Sequence, residues 1–147
     1  MSKKNYIIPI FVPHKGCPHN CIFCNQKRIT GQTEYVTSKY VNDTIYKYRD
    51  SIKGNNANIE VAFFGGSFTA IPMEEQNIYL SVAKKYLNSG AINTIRLSTR
   101  PDYIDKKILS NLKKHGVSIV ELGVQSMNEG VLQTSQRGHS AKDVVNA

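Results

Sequence analysis
Two hydrophobic rhythms alternate along the chain. Tyr6 to Val12 (YIIPIFV) is a β-rich run, but Pro9 lacks the amide hydrogen that a central strand would donate, so a bulge or an edge position is expected. From Thr37 or Ser38, both suited to capping, Val41, Ile45, Tyr48 and Ile52 recur at spacings of four, three and four, and they predict a helix that stops before Gly54. Ile59 to Phe64 (IEVAFF) is an almost continuous apolar run closed by Gly65-Gly66, the pattern of a strand buried on both faces. A second helix is expected from Pro72 at a first helical position to Gly90, with Glu74 and Glu75 complementing its dipole and Leu80, Ala83 and Leu87 on its apolar stripe.

The cycle then repeats. Thr94 to Ser98 forms the third strand, and Asp102 with Asp105 caps a helix whose Ile108, Leu109 and Leu112 face inward before Gly116. Ser118 to Val124 forms the fourth strand, followed by a short helical segment near Glu129 to Thr134 and a helix start at Ser140 with Asp143 placed for a capping box. Alternating strands and helices call for an α/β fold with a mostly parallel sheet, either doubly wound or part of a barrel. A barrel is favoured because each glycine-rich or polar cluster follows a strand, where parallel folds place their chemistry. An eight-unit barrel takes about 250 residues, so 147 residues hold between four and five units. The expectation is one domain over residues 1–147, the amino-terminal part of a barrel, either truncated or completed by a partner chain.

Composition adds only bounds. The 40% apolar and 20% charged content is that of a globular domain. No apolar run approaches the roughly 18 residues of a membrane span, and residues 6–12 are too short for a signal segment, so a cytoplasmic protein without membrane association is expected. The formal charge of +8 suits an anionic partner such as RNA or a phosphorylated metabolite, or equally a solvated basic surface. The tyrosines are scattered and form no ladder for nucleic acid.

Chemistry concentrates in the loop after the first strand, 24 residues rich in turn formers. Its Cys17, Cys21 and Cys24 are the chain's three cysteines and fall within eight residues, which rules out a disulfide framework spread along the chain. The spacing C-x3-C-x2-C lets three thiolates hold three irons of a cubane and leave the fourth open to a ligand. A three-thiolate zinc site completed by His14 or His19 is the competing reading.

The cysteine spacing, with an aromatic residue just before the last cysteine, resembles the radical S-adenosylmethionine superfamily. Three further stretches match in order: Gly65-Gly66-Ser67-Phe68-Thr69, Ile95 to Asp102 (IRLSTRPD), and Glu121 to Ser126 (ELGVQS), trailed by Arg137-Gly138-His139. Together they resemble the branch holding the tRNA wobble-uridine-modifying catalytic subunit of Elongator, with oxygen-independent coproporphyrinogen oxidases more distant. The resemblance runs from about Phe11 to the last residue.

The resemblance implies a partial (βα) radical-SAM-type barrel, about four of six units. It also implies a four-iron, four-sulfur (4Fe–4S) cluster on Cys17, Cys21 and Cys24, an external electron donor, and reductive cleavage of S-adenosyl-L-methionine to a 5'-deoxyadenosyl radical. By motif position, Gly65, Gly66 and Ser67 would lie at the methionine amino group, Ser98 at the ribose or carboxylate, Gln125 at the ribose hydroxyls and Arg137 at the carboxylate. Phe23 could lie along the adenine or simply cover the cluster. tRNA is the substrate and partner that the branch suggests, making the protein a transferase. The other readings are a non-catalytic metal-binding module, holding zinc or carrying a cluster, and an inactive truncated fragment.

Overall fold
A computed structural model describes residues 3–12, 21–23, 36–53 and 57–147. Four strands, β1 (Lys4–Val12), β2 (Ala57–Gly65), β3 (Thr94–Thr99) and β4 (Val117–Leu122), form one sheet in the order β1-β2-β3-β4. Every pair is parallel. The helices are α1 (Ser38–Ser51), α2 (Met73–Asn88), α3 (Lys106–Lys114), α4 (Glu129–Thr134) and α5 (Ala141–Asn146), with 3-10 turns at Phe68–Ala70 and Pro101–Tyr103. This is the α/β fold with a parallel sheet that the alternation predicts, and the sequential strand order is that of the expected partial barrel.

Alternate strand residues build the core. Ile8, Ile10, Val12, Ile59, Val61, Phe63, Ile95 and Leu97 are buried against Val41 and Ile45 of α1 and Leu80 and Ala83 of α2. Burying a side chain of this size favours folding by about 1.5–3 kcal/mol relative to leaving it exposed, and this face of the sheet supplies most of the cluster. The opposite face carries Ile7 and Phe11, both exposed, with Phe64 and a charged line across three strands. There Arg96 donates to Glu60 at 3.1 Å and to Glu121 at 2.8 Å.

The β1–β2 register runs unbroken from Lys4–Ala57 to Val12–Gly65. Pro9 therefore marks an edge strand and not a bulge. The bulge lies instead between β3 and β4, where Ile95 pairs with Val117 and Arg96 with Ile119.

The helix caps follow from short polar side chains. Thr37 accepts from the Tyr40 amide at 3.1 Å and starts α1. Pro72 sits at the cap of α2, one position before the first helical residue Met73, and not at the first helical position itself. Asp105 alone caps α3, accepting from the Ile108 amide at 2.7 Å. Asp102 has another task, because the 3-10 turn after Arg100 directs its carboxylate back to that side chain. Leu109 is exposed and not inward. At α5 the expected capping box is present between Ser140 and Asp143. Among the described residues, no helix is long and apolar enough to cross a membrane.

Candidate functional site
Polar residues gather where the strands end. β1 and β2 finish side by side, and the Gly66 amide donates to the Val12 carbonyl at 3.2 Å. Gly65 has φ +115°, and a Cβ there would lie 2.3 Å from the Val12 oxygen. Only glycine fits, because the place a Cβ would take is filled by the Val12 carbonyl of β1.

The adjoining Ser67 is buried, and its hydroxyl lies 2.8 Å from the Thr99 hydroxyl and accepts from the Arg100 amide at 3.3 Å. Thr69 joins the same oxygen of Thr99. These hydroxyls stitch the loop after β2 to the end of β3. Gln76 closes the arrangement from α2, donating to the carbonyls of Thr69 and Ile71 at 3.2 and 2.6 Å. Ser98 lies on the open face of the sheet, half-buried, and donates to the Phe63 carbonyl at 3.5 Å.

After β4 the chain makes tight turns. The Val124 amide donates to Leu122 and the Ser126 amide to Val124, which places Gln125 at φ +68°. Among the described residues the non-glycine positions with positive φ are Gln125 and Gln136. Such conformations cost about 1–3 kcal/mol and concentrate where a side chain must be aimed at a ligand. Here they bracket the segment that returns to the cysteine loop.

That return is the main structural finding. Cys21 is buried, and Arg137, 116 positions away, places Nη1 3.8 Å from its sulfur. The Ile22 amide donates to the Ser135 carbonyl at 3.2 Å. Arg137 is itself buried; its Nε donates to Nε2 of His139 at 3.1 Å and its Nη2 to the Gly123 carbonyl. Arg100, also buried, donates to both Asp102 oxygens at 2.9 Å and to the Arg137 carbonyl at 2.7 Å. Among the described residues, the Arg100 and Arg137 guanidiniums and the Asp102 carboxylate lie beside the sulfur, and cationic donors there suit both a thiolate-ligated iron–sulfur cluster and the carboxylate of an amino acid.

Phe23 is exposed and lines an apolar recess of about 540 Å³ with Ile22, Val131 and Thr134. Cys17 and Cys24 lie outside the described residues. Of the expected site residues, the structure brings Cys21 directly to Arg137, places Gly65, Gly66 and Ser67 at the end of β2, and sets Ser98 and Gln125 at the ends of β3 and β4. Thr99, Arg100, Gly123 and His139 lie within the motifs but carry no role assigned from sequence, and Gln76 lies outside them. The Arg-Pro-Asp run at 100–102 carries a signal of its own: an arginine two residues before an aspartate across a proline-started turn.

The Radical SAM superfamily profile matches residues 11–147. The chain belongs to the Radical SAM superfamily. It is 28% identical to uncharacterized protein MJ0486 of Methanocaldococcus jannaschii, a match covering 99% of this chain and 47% of that protein. It is 29% identical to the tRNA uridine(34) acetyltransferase of Methanocaldococcus infernus over 60% of this chain and 20% of that one. The archaeal M. infernus Elp3 with an N-terminal deletion has the same fold, with a TM-score of 0.67 at 20% identity, covering 99% of this chain and 34% of that one. The chain thus spans between a fifth and about half of the length of these relatives.

Proposed function
We propose that this radical SAM chain holds a 4Fe–4S cluster on Cys17, Cys21 and Cys24 and binds S-adenosyl-L-methionine across the strand ends. The observation that carries the proposal is the burial of Cys21 against Arg137 at the carboxyl end of the parallel sheet, with Arg100 after β3 held to the same Arg137. A thiol ordinarily buried among apolar groups would not be met by a guanidinium donor. A ligating thiolate would be.

When bound, the cluster would supply the open iron and the electron that split the sulfonium into methionine and a 5'-deoxyadenosyl radical. The protein's own residues do the positioning. The turn at Gly65 and Gly66 would meet the methionine amino group, and Ser67 ties that loop to Thr99 and Arg100. Ser98 and Gln125 offer hydroxyl and amide groups from neighbouring strand ends to the ribose and carboxylate. Phe23, beside the apolar recess, offers a face for the adenine, and Arg137, next to Cys21, supplies positive charge for the methionine carboxylate. The open face of the sheet is the wall of the chamber that would keep water from the radical.

By relation to the tRNA uridine(34) acetyltransferase, tRNA is the substrate proposed, and the +8 charge agrees with a polyanion. Residues 1–147 would form the amino-terminal part of the radical SAM core. The test is anaerobic reconstitution with iron and sulfide, reduction with dithionite, and assay for 5'-deoxyadenosine. The chain should release the nucleoside and Cys21→Ala should not. An iron-loaded chain that releases none would sink the catalytic reading, and one equivalent of zinc without iron would replace it with a zinc module.

A further inference from the structure
His139 is 7% exposed, and cofactor binding leaves it without a task. Resting on the cluster reading above, we infer that His139 is a positioning residue: it locks the Arg137 guanidinium onto Cys21, and the N–H···S contact raises the reduction potential of a cluster held there.

The geometry sets each partner. Nδ1 of His139 lies 3.3 Å from the Ser140 carbonyl, which accepts its hydrogen and leaves Nε2 free to accept from Arg137 Nε at 3.1 Å. Arg137 Nη2 is taken by the Gly123 carbonyl. A guanidinium is planar and rigid, so fixing Nε and Nη2 also fixes Nη1, which points at Cys21 Sγ at 3.8 Å. Gly123 leaves room for this, since a Cβ there would come within 3.0 Å of Nη2.

The backbone of residue 137 is held as firmly. Its carbonyl lies 3.8 Å from the Cys21 sulfur and accepts from Arg100 at 2.7 Å. When Cys21 loses its proton to become a ligand, Arg100 keeps that carbonyl satisfied. Adding an electron makes a cluster more negative, so a cationic N–H donor on a ligating sulfur stabilises the reduced form more than the oxidised one.

The experiment is a redox titration, followed by electron paramagnetic resonance, of the reconstituted full chain and of Arg137→Leu, His139→Ala and His139→Gln. Iron content and far-ultraviolet dichroism are measured on each. Arg137→Leu should shift the potential downward, and His139→Ala should shift it in the same direction by less. His139→Gln, whose amide oxygen can accept from Arg137 Nε, should return toward the wild-type value. If Arg137→Leu retains no iron, the two His139 variants still decide, because both keep the guanidinium. Wild-type potential in an iron-replete Arg137→Leu or His139→Ala overturns the inference, as does an equal shift in His139→Ala and His139→Gln. A wild-type chain that takes up no iron overturns the cluster reading itself, and the inference with it.

Discussion

The two faces of the sheet are built by the same strands to different rules. On the helix side Ile8, Ile10, Val61, Phe63, Ile95 and Leu97 have no exposure at all. On the open side Ile7 and Phe11 are nearly half exposed, and Arg96 spans Glu60 and Glu121 in partial contact with solvent. A sheet whose second face were simply waiting for more core would not carry a line of charge across three strands. That face carries charged groups in contact with solvent, and the helix side alone is dry core.

The comparison can be broken by substitution. Leu97→Ala or Phe63→Ala, on the dry side, should cost the most, about 3–5 kcal/mol in denaturant unfolding, through the lost transfer energy and the cavity left behind. Gly65→Ala, at the rim between the faces, combines a positive φ with a collision at the Val12 carbonyl, and should cost on the order of 2 kcal/mol. It should also weaken S-adenosyl-L-methionine binding measured by calorimetry. Arg96→Met, on the open side, should cost only about 1 kcal/mol, since all three partners keep solvent access and their attraction is screened. A loss for Arg96→Met as large as that for Leu97→Ala would make the open face structural and end the comparison.

The smallest expected effect is at α5. Ser140 holds the Asp143 carboxyl below its ordinary value, through its backbone amide first and its hydroxyl second. A carboxyl with a depressed folded-state pKa stabilises at pH above its unfolded value, and that stability is lost as pH falls through the folded value. Acidification below about 3.8 should therefore fray α5, seen as faster amide exchange over 141–146, while Asp143→Asn should be frayed already at neutral pH.

Strand and helix order was legible because the dry face obeys one rule: alternate residues are apolar, and glycine or proline marks each turn. The errors fell where polar side chains have specific partners. Asp102 looked like a cap because aspartate before a helix usually is one, yet Arg100 claims it from two residues away. Leu109 looked inward from its apolarity alone. Pro9 left bulge and edge open, since either removes the need for its missing donor. In the site, glycine signals and cysteine spacing are local and could be read. The contact of Cys21 with Arg137 spans 116 positions, and no periodicity encodes it. Gln76 and the role of His139 are not legible in sequence because a buried hydrogen-bonded polar residue leaves no mark on a hydrophobic pattern.

The central claim is a cluster with one iron left open for S-adenosyl-L-methionine. The most direct measurement is the electron paramagnetic resonance spectrum of the anaerobically reconstituted, dithionite-reduced chain before and after that cofactor is added. A cubane signal that changes shape on addition and is absent from Cys21→Ala is the predicted result. A cubane signal indifferent to the cofactor would contradict the account.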